Sequence, residues 1–210
     1  MTPQRYLLAQ AYNNAWANHR LLNACRRLSP DELTASRVSV FPSIIHTLNH
    51  ILTVDWLYVS ALEGNCIGDE AFAPEIPFPL IADLEREQRA ADRRLIDHCR
   101  LLDRDMLPAE VHIPRATHVQ VERTDRILLH LFQHQVHHRG QVHAMLSGTS
   151  VTPPQLDEFF PADPAEKALR RQDFLELGFT EELIWDCPCS TSSSNRCTSS
   201  PTSSGLAACW

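Results

Sequence analysis

The chain has 210 residues, 43% of them hydrophobic and 21% charged, fractions typical of one globular domain with a small appendage. The formal net charge of −7 and the lack of a long basic run argue against a nucleic-acid partner, because phosphate binding requires a positive patch. No apolar stretch approaches about 18 residues and the N-terminal segment lacks a signal-peptide core, so we expect a cytoplasmic protein without a membrane partner.

A first helix is predicted from the N-terminus to Ser29 and Pro30. Thr2 can cap this helix, and Pro3 then occupies the first helical position, where the N–H that proline lacks would have no partner in any case. Small and apolar residues recur at spacings of three, four or seven: Leu7, Ala11, Ala15, Leu22 and Cys25. These spacings place them close to one helical stripe.

A second helix is predicted from the segment 41–43 to Gly64, which suits the residue after a helix end. Its buried side is marked by Ile45, Leu48 and Leu52. His46 and His50 are four residues apart, so a helix places both imidazoles on one face.

Two further helices complete a predicted bundle. The third begins near Asp83, taken as its cap, and the fourth runs from about Asp125 to Leu146 with Thr124 as its cap. Between them, residues 107–122 alternate and are rich in β-branched side chains, which predicts a short extended or hairpin excursion.

The C-terminal part changes in character. Residues 164–175 and 180–185 are predicted to form two short amphipathic helices separated by Gly178. Serine and threonine dominate residues 187–210, which we interpret as a disordered tail, either a natural extension or the product of a shifted reading frame. The sequence therefore predicts an all-α four-helix bundle over residues 1–186, followed by this tail.

Histidine is the unusual residue of this chain: there are 11, and five fall between residues 130 and 143. On a helical wheel with about 100° per residue, His134 and His138 straddle the apolar line of the fourth helix, whereas His137 points roughly 80° away. Two imidazoles on one core face satisfy each other poorly, and a metal ion satisfies both. The alternative is that both are ordinary core histidines with hydrogen-bond partners.

Two histidines at i and i+4 are a recurring metal-ligand spacing, because their ring nitrogens converge at one point. A third ligand has to come from another helix, and His50 on the second helix is the obvious donor. His46 is either a fourth ligand or a residue that orients a ligand. Position 135 is Gln, so the general base of an HExxH motif is missing.

Several segments together resemble the DinB/YfiT-like superfamily, the damage-inducible DinB family of metal-binding four-helix bundles. The matching segments are YNNAWANHRLL at 12–22, HTLNHILTVDWLY at 46–58, HQVHHRGQVHAML at 134–146, PPQLDEFF at 153–160 and LGFTEELIW at 177–185. The resemblance covers about residues 1–186, and the tail departs from the pattern.

The resemblance implies three histidine ligands that fall on His50, His134 and His138. It also implies a divalent metal ion, commonly zinc or nickel, with an open coordination position, and often a homodimer. Family members with known activity are thiol S-transferases or isomerases that use low-molecular-weight thiols. For this chain it implies a small-molecule substrate, with a low-molecular-weight thiol as a candidate.

The histidines and the resemblance together imply two alternative functions. The first is a metal-dependent enzyme of the thiol S-transferase or hydrolase type, in which Arg139 and Gln141 orient an anionic substrate or a ligand. The second is a non-catalytic metal-binding or stress-response protein with a structural histidine site. A structural zinc site closes with four protein ligands, so participation of His46 or Gln141 would favour the second function.

Overall fold

The computed structural model describes residues 2–157, 163–180 and 183–184 of the chain. Its elements, in chain order, are α1 Pro3–Cys25, α2 Pro30–Thr34, α3 Ile44–Leu62, a 3-10 helix Gly68–Phe72, α4 Ile81–Leu101, β1 Glu110–Pro114, β2 Val119–Arg123, α5 Thr124–Leu146 and α6 Pro164–Leu177. The long helices α1 and α3 each pack against both α4 and α5, which confirms the all-α four-helix bundle. In the part of the chain that the structure describes, no helix is both long and apolar enough to cross a membrane.

The first helix begins as predicted, but it ends earlier than predicted and a short helix that was not predicted follows it. The Thr2 hydroxyl accepts a hydrogen bond from the Arg5 backbone N–H at 3.3 Å. Helix α1 ends at Cys25, before the predicted Ser29. Ser29 instead caps α2: its hydroxyl accepts from the Glu32 backbone N–H, and the Glu32 carboxylate accepts from the Ser29 backbone N–H. This reciprocal pair is a capping box, which stabilises a helix as short as α2.

Two predicted caps are wrong by one to three residues. Helix α4 begins at Ile81, so Asp83 lies in its first turn, where the carboxylate accepts from Arg86 and faces the positive helix end. Helix α5 begins at Thr124 itself. The Thr124 hydroxyl donates to the Ala109 carbonyl at 3.3 Å and so fastens the hairpin to the helix start.

The predicted hairpin between α4 and α5 is present. Strands β1 and β2 pair antiparallel, with Val111 and Ile113 pointing inward. Ile113 is fully buried in a small cluster with Leu57 and Ile127. The hairpin therefore covers one end of the α3–α5 pair.

Helix α6 matches the first predicted C-terminal helix and packs on α1. Gly178, the residue that follows it, has a left-handed conformation. Of the second short helix predicted over 180–185, Leu183 and Ile184 are helical, and residues 181, 182 and 185 lie outside the described residues. The predicted tail 187–210 also lies outside them.

The interior of the bundle consists of two apolar clusters with a polar layer between them. The polar layer consists of buried side chains from all four long helices: Asn14, Asn18, Asp55, Gln88, Asp92, Gln135 and Arg139. On α5, one apolar cluster includes Leu128 and Phe132, and the other includes Val142 and Leu146. The polar layer thus lies at the level of the helix centres, which is also the level of the predicted metal ligands.

Candidate metal centre

The structure brings together the three histidines predicted as metal ligands. His50 on α3 and the pair His134 and His138 on α5 each offer one ring nitrogen, and these three atoms lie within 4.8 Å of one another. The Nε2 atoms of His50 and His134 are 3.1 Å apart. The ring centroids of His134 and His138 are 4.3 Å apart.

Helix geometry explains this convergence. A spacing of four residues stacks His134 and His138 on one face of α5, and α5 packs against α3 along the bundle. His50 lies in the N-terminal half of α3 and faces the pair, with its ring centroid 4.6 Å from that of His138. The group is half-buried to buried, so protein shields it on the core side.

The three residues fit a divalent metal ion that prefers nitrogen ligands. On a tetrahedral zinc ion with bonds of about 2.0–2.1 Å, two imidazole nitrogens lie about 3.3 Å apart, close to the 3.1 Å between the Nε2 atoms of His50 and His134. Without an ion, one of these two nitrogens has to donate a proton to the other. His138 binds Gln141 through Nδ1, which leaves its Nε2 for an ion.

Burial keeps all three imidazoles in the neutral form that binds metals. Burial, together with the neighbouring His138 and His46, lowers the pKa of His50 to about 4. Burial and the surrounding histidines, His138 and His50 first, lower the pKa of His134 to about 3. Burial also lowers the pKa of His138. At neutral pH a metal ion therefore does not have to displace protons from these ligands.

Gln141 orients one of the three histidines. Its Oε1 atom lies 2.8 Å from Nδ1 of His138, and its Nε2 atom lies 3.2 Å from Nε2 of His137. An acceptor at Nδ1 holds the proton there and directs the lone pair of Nε2 towards the group. His137 itself is exposed and stands outside the three-histidine group.

His46 lies next to the group but outside it. Its Nε2 atom is 2.9 Å from a carboxylate oxygen of Glu75, in the loop before α4. The ring of Phe41 lies between the two α3 histidines, with its centroid 5.0 Å from His46 and 4.1 Å from His50. The packing of Phe41 on these two histidines has no signal in the sequence, because Phe41 precedes α3 in a segment without helical periodicity.

Arg139 has a different place from the one predicted for it. The expectation that it orients an anionic substrate is wrong, because its guanidinium is buried inside the bundle. It donates to the side-chain oxygens of Asn18 and Gln135, each at 3.0 Å, and to that of Asn14. A helix rotates by about 100° per residue, so the neighbour of a site residue faces another part of the protein.

A cleft opens beside the group on its α3 side. Its volume is about 460 Å³, and it is lined by Phe41, His46, His50, Thr53, Phe72 and Glu75. Apolar rings with a few polar groups are the usual lining of a small-molecule site, and this volume falls within the usual range of about 300–1,000 Å³.

Comparisons with known proteins agree with this architecture. The family model of the DinB family matches residues 4–172. Protein DinB of Bacillus subtilis (strain 168) is 26% identical over 139 residues, covering 63% of this chain and 80% of the relative. The uncharacterized protein YizA of the same organism is 28% identical over 118 residues, covering 56% of this chain and 72% of the relative.

A crystal structure of a DinB-like protein from Bacillus cereus ATCC 10987 has the same fold. It superposes with a TM-score of 0.52 at 15% identity and covers 67% of this chain and 90% of that chain. Because the family model spans most of the chain and the three-histidine bundle is present, this protein belongs to the DinB family.

Proposed function

We propose that the chain binds one divalent metal ion, zinc or nickel, through His50, His134 and His138. We propose further that the protein is an enzyme of the thiol S-transferase or hydrolase type, and that it acts on a small molecule at this metal centre. The observation that carries the proposal is the convergence of three neutral imidazoles beside an open cleft. Three protein ligands with an accessible position are typical of catalytic metal sites, whereas structural zinc sites close with four.

The chemistry divides between the ion and the side chains around it. A divalent ion supplies Lewis acidity, which lowers the pKa of a thiol or water at a free coordination position. Gln141 keeps His138 in the tautomer that leaves Nε2 free. Phe41 stacks on His50 at 4.1 Å between ring centroids and excludes water from that side of the imidazole.

In an S-transfer, the thiol sulfur forms a bond to an electrophilic carbon of the substrate. The leaving group departs with the bonding electron pair, and the thiol proton passes to water. The cleft lined by Phe41 and Phe72 supports an electrophile with an apolar part, while Glu75 and His46 provide polar contacts at its edge.

A non-catalytic metal-binding protein with a structural histidine site is the second candidate. One observation favours it: His46 lies one helical turn before His50 on the same face of α3. Rotation of the His46 ring away from Glu75 would then supply a fourth nitrogen ligand.

A turnover assay with a coordination measurement distinguishes the two functions. The metal-loaded protein is incubated with low-molecular-weight thiols and a chromogenic electrophile, and product formation is compared with that of the metal-free protein. X-ray absorption then counts the nitrogen ligands. The enzyme requires metal-dependent turnover and three histidine ligands that persist in His46→Ala. No turnover, with four ligands that fall to three in His46→Ala, would establish the structural site.

We also propose that the protein forms a homodimer through an apolar groove between α1 and α5. The groove holds about 390 Å³ and is lined by Tyr6, Leu7, Gln10, Leu129, Phe132, Gln133, Val136 and His137. Tyr6, Leu129 and Val136 are each at least half exposed, although they are large apolar side chains. The lining carries no carboxylate or basic aliphatic side chain, so a second copy meets no like charge there despite the net charge of −7.

We also propose that the protein is located in the cytoplasm, a reducing compartment. Cys25, Cys66 and Cys99 are free thiols, and burial raises the pKa of Cys25 and of Cys99 to about 12. Cys25 and Cys99 are therefore unreactive packing groups.

A further inference from the structure

The polar layer crosses the bundle beside the three-histidine group and is tied together by side-chain hydrogen bonds. Asp92 accepts from Asn18 at 2.9 Å and from Gln88 at 3.3 Å. Gln88 also donates to Asp55 at 2.7 Å, and Gln135 donates to the same Asp55 oxygen. Every long helix contributes at least one of these partners. The hydrogen bonds of the layer therefore depend on how all four helices are rotated about their axes.

One hydrogen bond of the polar layer joins the two helices that carry the histidines. Gln135 on α5 donates to Asp55 on α3 in the fully buried interior. Its amide oxygen accepts from Arg139 at 3.0 Å, so both ends of the Gln135 side chain are engaged. A buried amide with both ends bonded has one favourable orientation, unlike an apolar side chain that packs in several.

The same residues are linked to the histidines through the helix itself. Gln135 and Arg139 each follow a histidine of the group by one residue, which is about 100° round the axis of α5. A rotation of α5 that turned these histidines away from His50 would also pull Gln135 away from Asp55. The buried amide would then lose a partner that no water replaces, so such a rotation is unfavourable.

We propose that Gln135 and Asp55 are positioning residues for the metal centre, holding α5 at the rotation that directs His134 and His138 towards His50. This inference rests on the proposed function, since it concerns residues that act through the metal ligands. A general structural role predicts something different: loss of any member of the polar layer would then lower stability and metal affinity together.

Gln88 provides a matched control for Gln135. Both are buried glutamines that donate to the same oxygen of Asp55, but Gln88 lies on α4, which carries none of the three histidines. We expect Gln135→Ala to lower the affinity for Zn²⁺ and Co²⁺ by about 10-fold or more, the usual effect of losing a residue that orients metal ligands. The visible absorption of the Co²⁺-loaded protein should change as well. Gln88→Ala should lower stability to a similar extent but retain the affinity and the Co²⁺ spectrum.

Each outcome of this experiment is decisive. Equal losses of metal affinity in Gln135→Ala and Gln88→Ala, or no loss in either, would overturn the positioning role. If the unmodified protein binds neither ion, the proposed metal function itself fails, which is a separate result. Should Gln135→Ala not fold, Gln135→Asn keeps the amide but shortens its reach, and it should show the same selective loss in weaker form.

Discussion

Two histidines of the candidate metal centre, His50 and His134, have pKa values that burial lowers strongly. The pKa of His50 is lowered to about 4 and that of His134 to about 3, mainly because burial disfavours the charged imidazolium. In the unfolded chain both return to about 6.5. This difference makes the stability of the metal-free protein depend on pH.

We expect the metal-free protein to lose stability as the pH falls from 6.5 towards 4. Over this range the unfolded chain takes up protons on His50 and His134 and the folded chain does not, so protonation favours unfolding. Urea unfolding at pH 7 and pH 5 measures the loss. His134→Gln should reduce it, whereas His137→Gln, at an exposed position, should leave it unchanged. An equal loss in the two variants would contradict the assignment.

Asp55 has the opposite dependence on pH. Burial and the neighbouring Asp92 raise its pKa to about 7, far above the ordinary value of 3.8. The protonated form is therefore favoured in the folded state, and the stability it contributes at low pH is lost as the pH rises through about 7. Asp55→Asn keeps an acceptor oxygen without this titration.

The expected result is that the free energy of unfolding of Asp55→Asn rises relative to that of the unmodified protein between about pH 4 and pH 7, where the unmodified protein loses the contribution of protonated Asp55. Urea unfolding across this range provides the measurement, and Asp97→Asn at an exposed position of α4 is the control. A difference between the two proteins that does not change with pH would contradict the titration of Asp55.

At the scale of elements, Gly140 is an unusual residue for the interior of a helix. It lies within α5, and a Cβ atom added there would meet nothing within 4 Å. Alanine restricts the unfolded chain more than glycine does, so Gly140→Ala should stabilise the protein by about 0.5–1 kcal/mol. Thermal unfolding measures the change, and metal content should be unaffected.

Gly68 is the matched contrast. Its φ is +60°, and an added Cβ would lie 3.2 Å from the Pro114 carbonyl oxygen of the hairpin. Gly68→Ala should therefore destabilise the protein by about 1–2 kcal/mol, the usual cost of a left-handed residue with a side chain. If Gly140→Ala destabilised the protein by a similar amount, the surface of α5 around it would have a partner.

The elements were largely predictable because periodicity identifies long amphipathic helices. Spacings of three and four marked α1 and α3, and Gly64 marked the end of α3 through its positive φ. The starts of α4 and α5 were misplaced because Asp83 and Thr124 are typical caps, yet their side chains bind Arg86 and Ala109 instead. The Ala109 partner comes from the tertiary packing of the hairpin on α5, which leaves no local signal, whereas the Asp83–Arg86 pair is an i,i+3 contact within the first turns of α4.

The site was predictable in part for a related reason. Helical spacing indicates that His134 and His138 converge, and a third histidine on the facing helix completes the group. The buried position of Arg139 was not predictable, because an arginine on a helical wheel is ordinarily assigned to the surface. The polar layer becomes visible only in the folded structure, where Asn18 on α1 accepts a hydrogen bond from Arg139 on α5.

At the scale of the whole molecule, the apolar groove between α1 and α5 predicts the oligomeric state. We expect a homodimer by light scattering, and we expect Leu129→Glu to convert it to a monomer, because the new charges would face each other without water. Leu169→Glu on α6 is the control, since both leucines are about half exposed. If light scattering gives the mass of a monomer for the unmodified protein, the proposed dimer is wrong.

The proposed metal site consists of three histidines on two helices that together bind one divalent ion. The most direct test is metal analysis of His134→Ala, His138→Ala and His137→Ala, each purified without chelator or a histidine tag. We expect one ion per chain in the unmodified protein and in His137→Ala, and loss of stoichiometric metal in the other two variants. Full metal content in both His134→Ala and His138→Ala would contradict this expectation and make these residues ordinary core histidines.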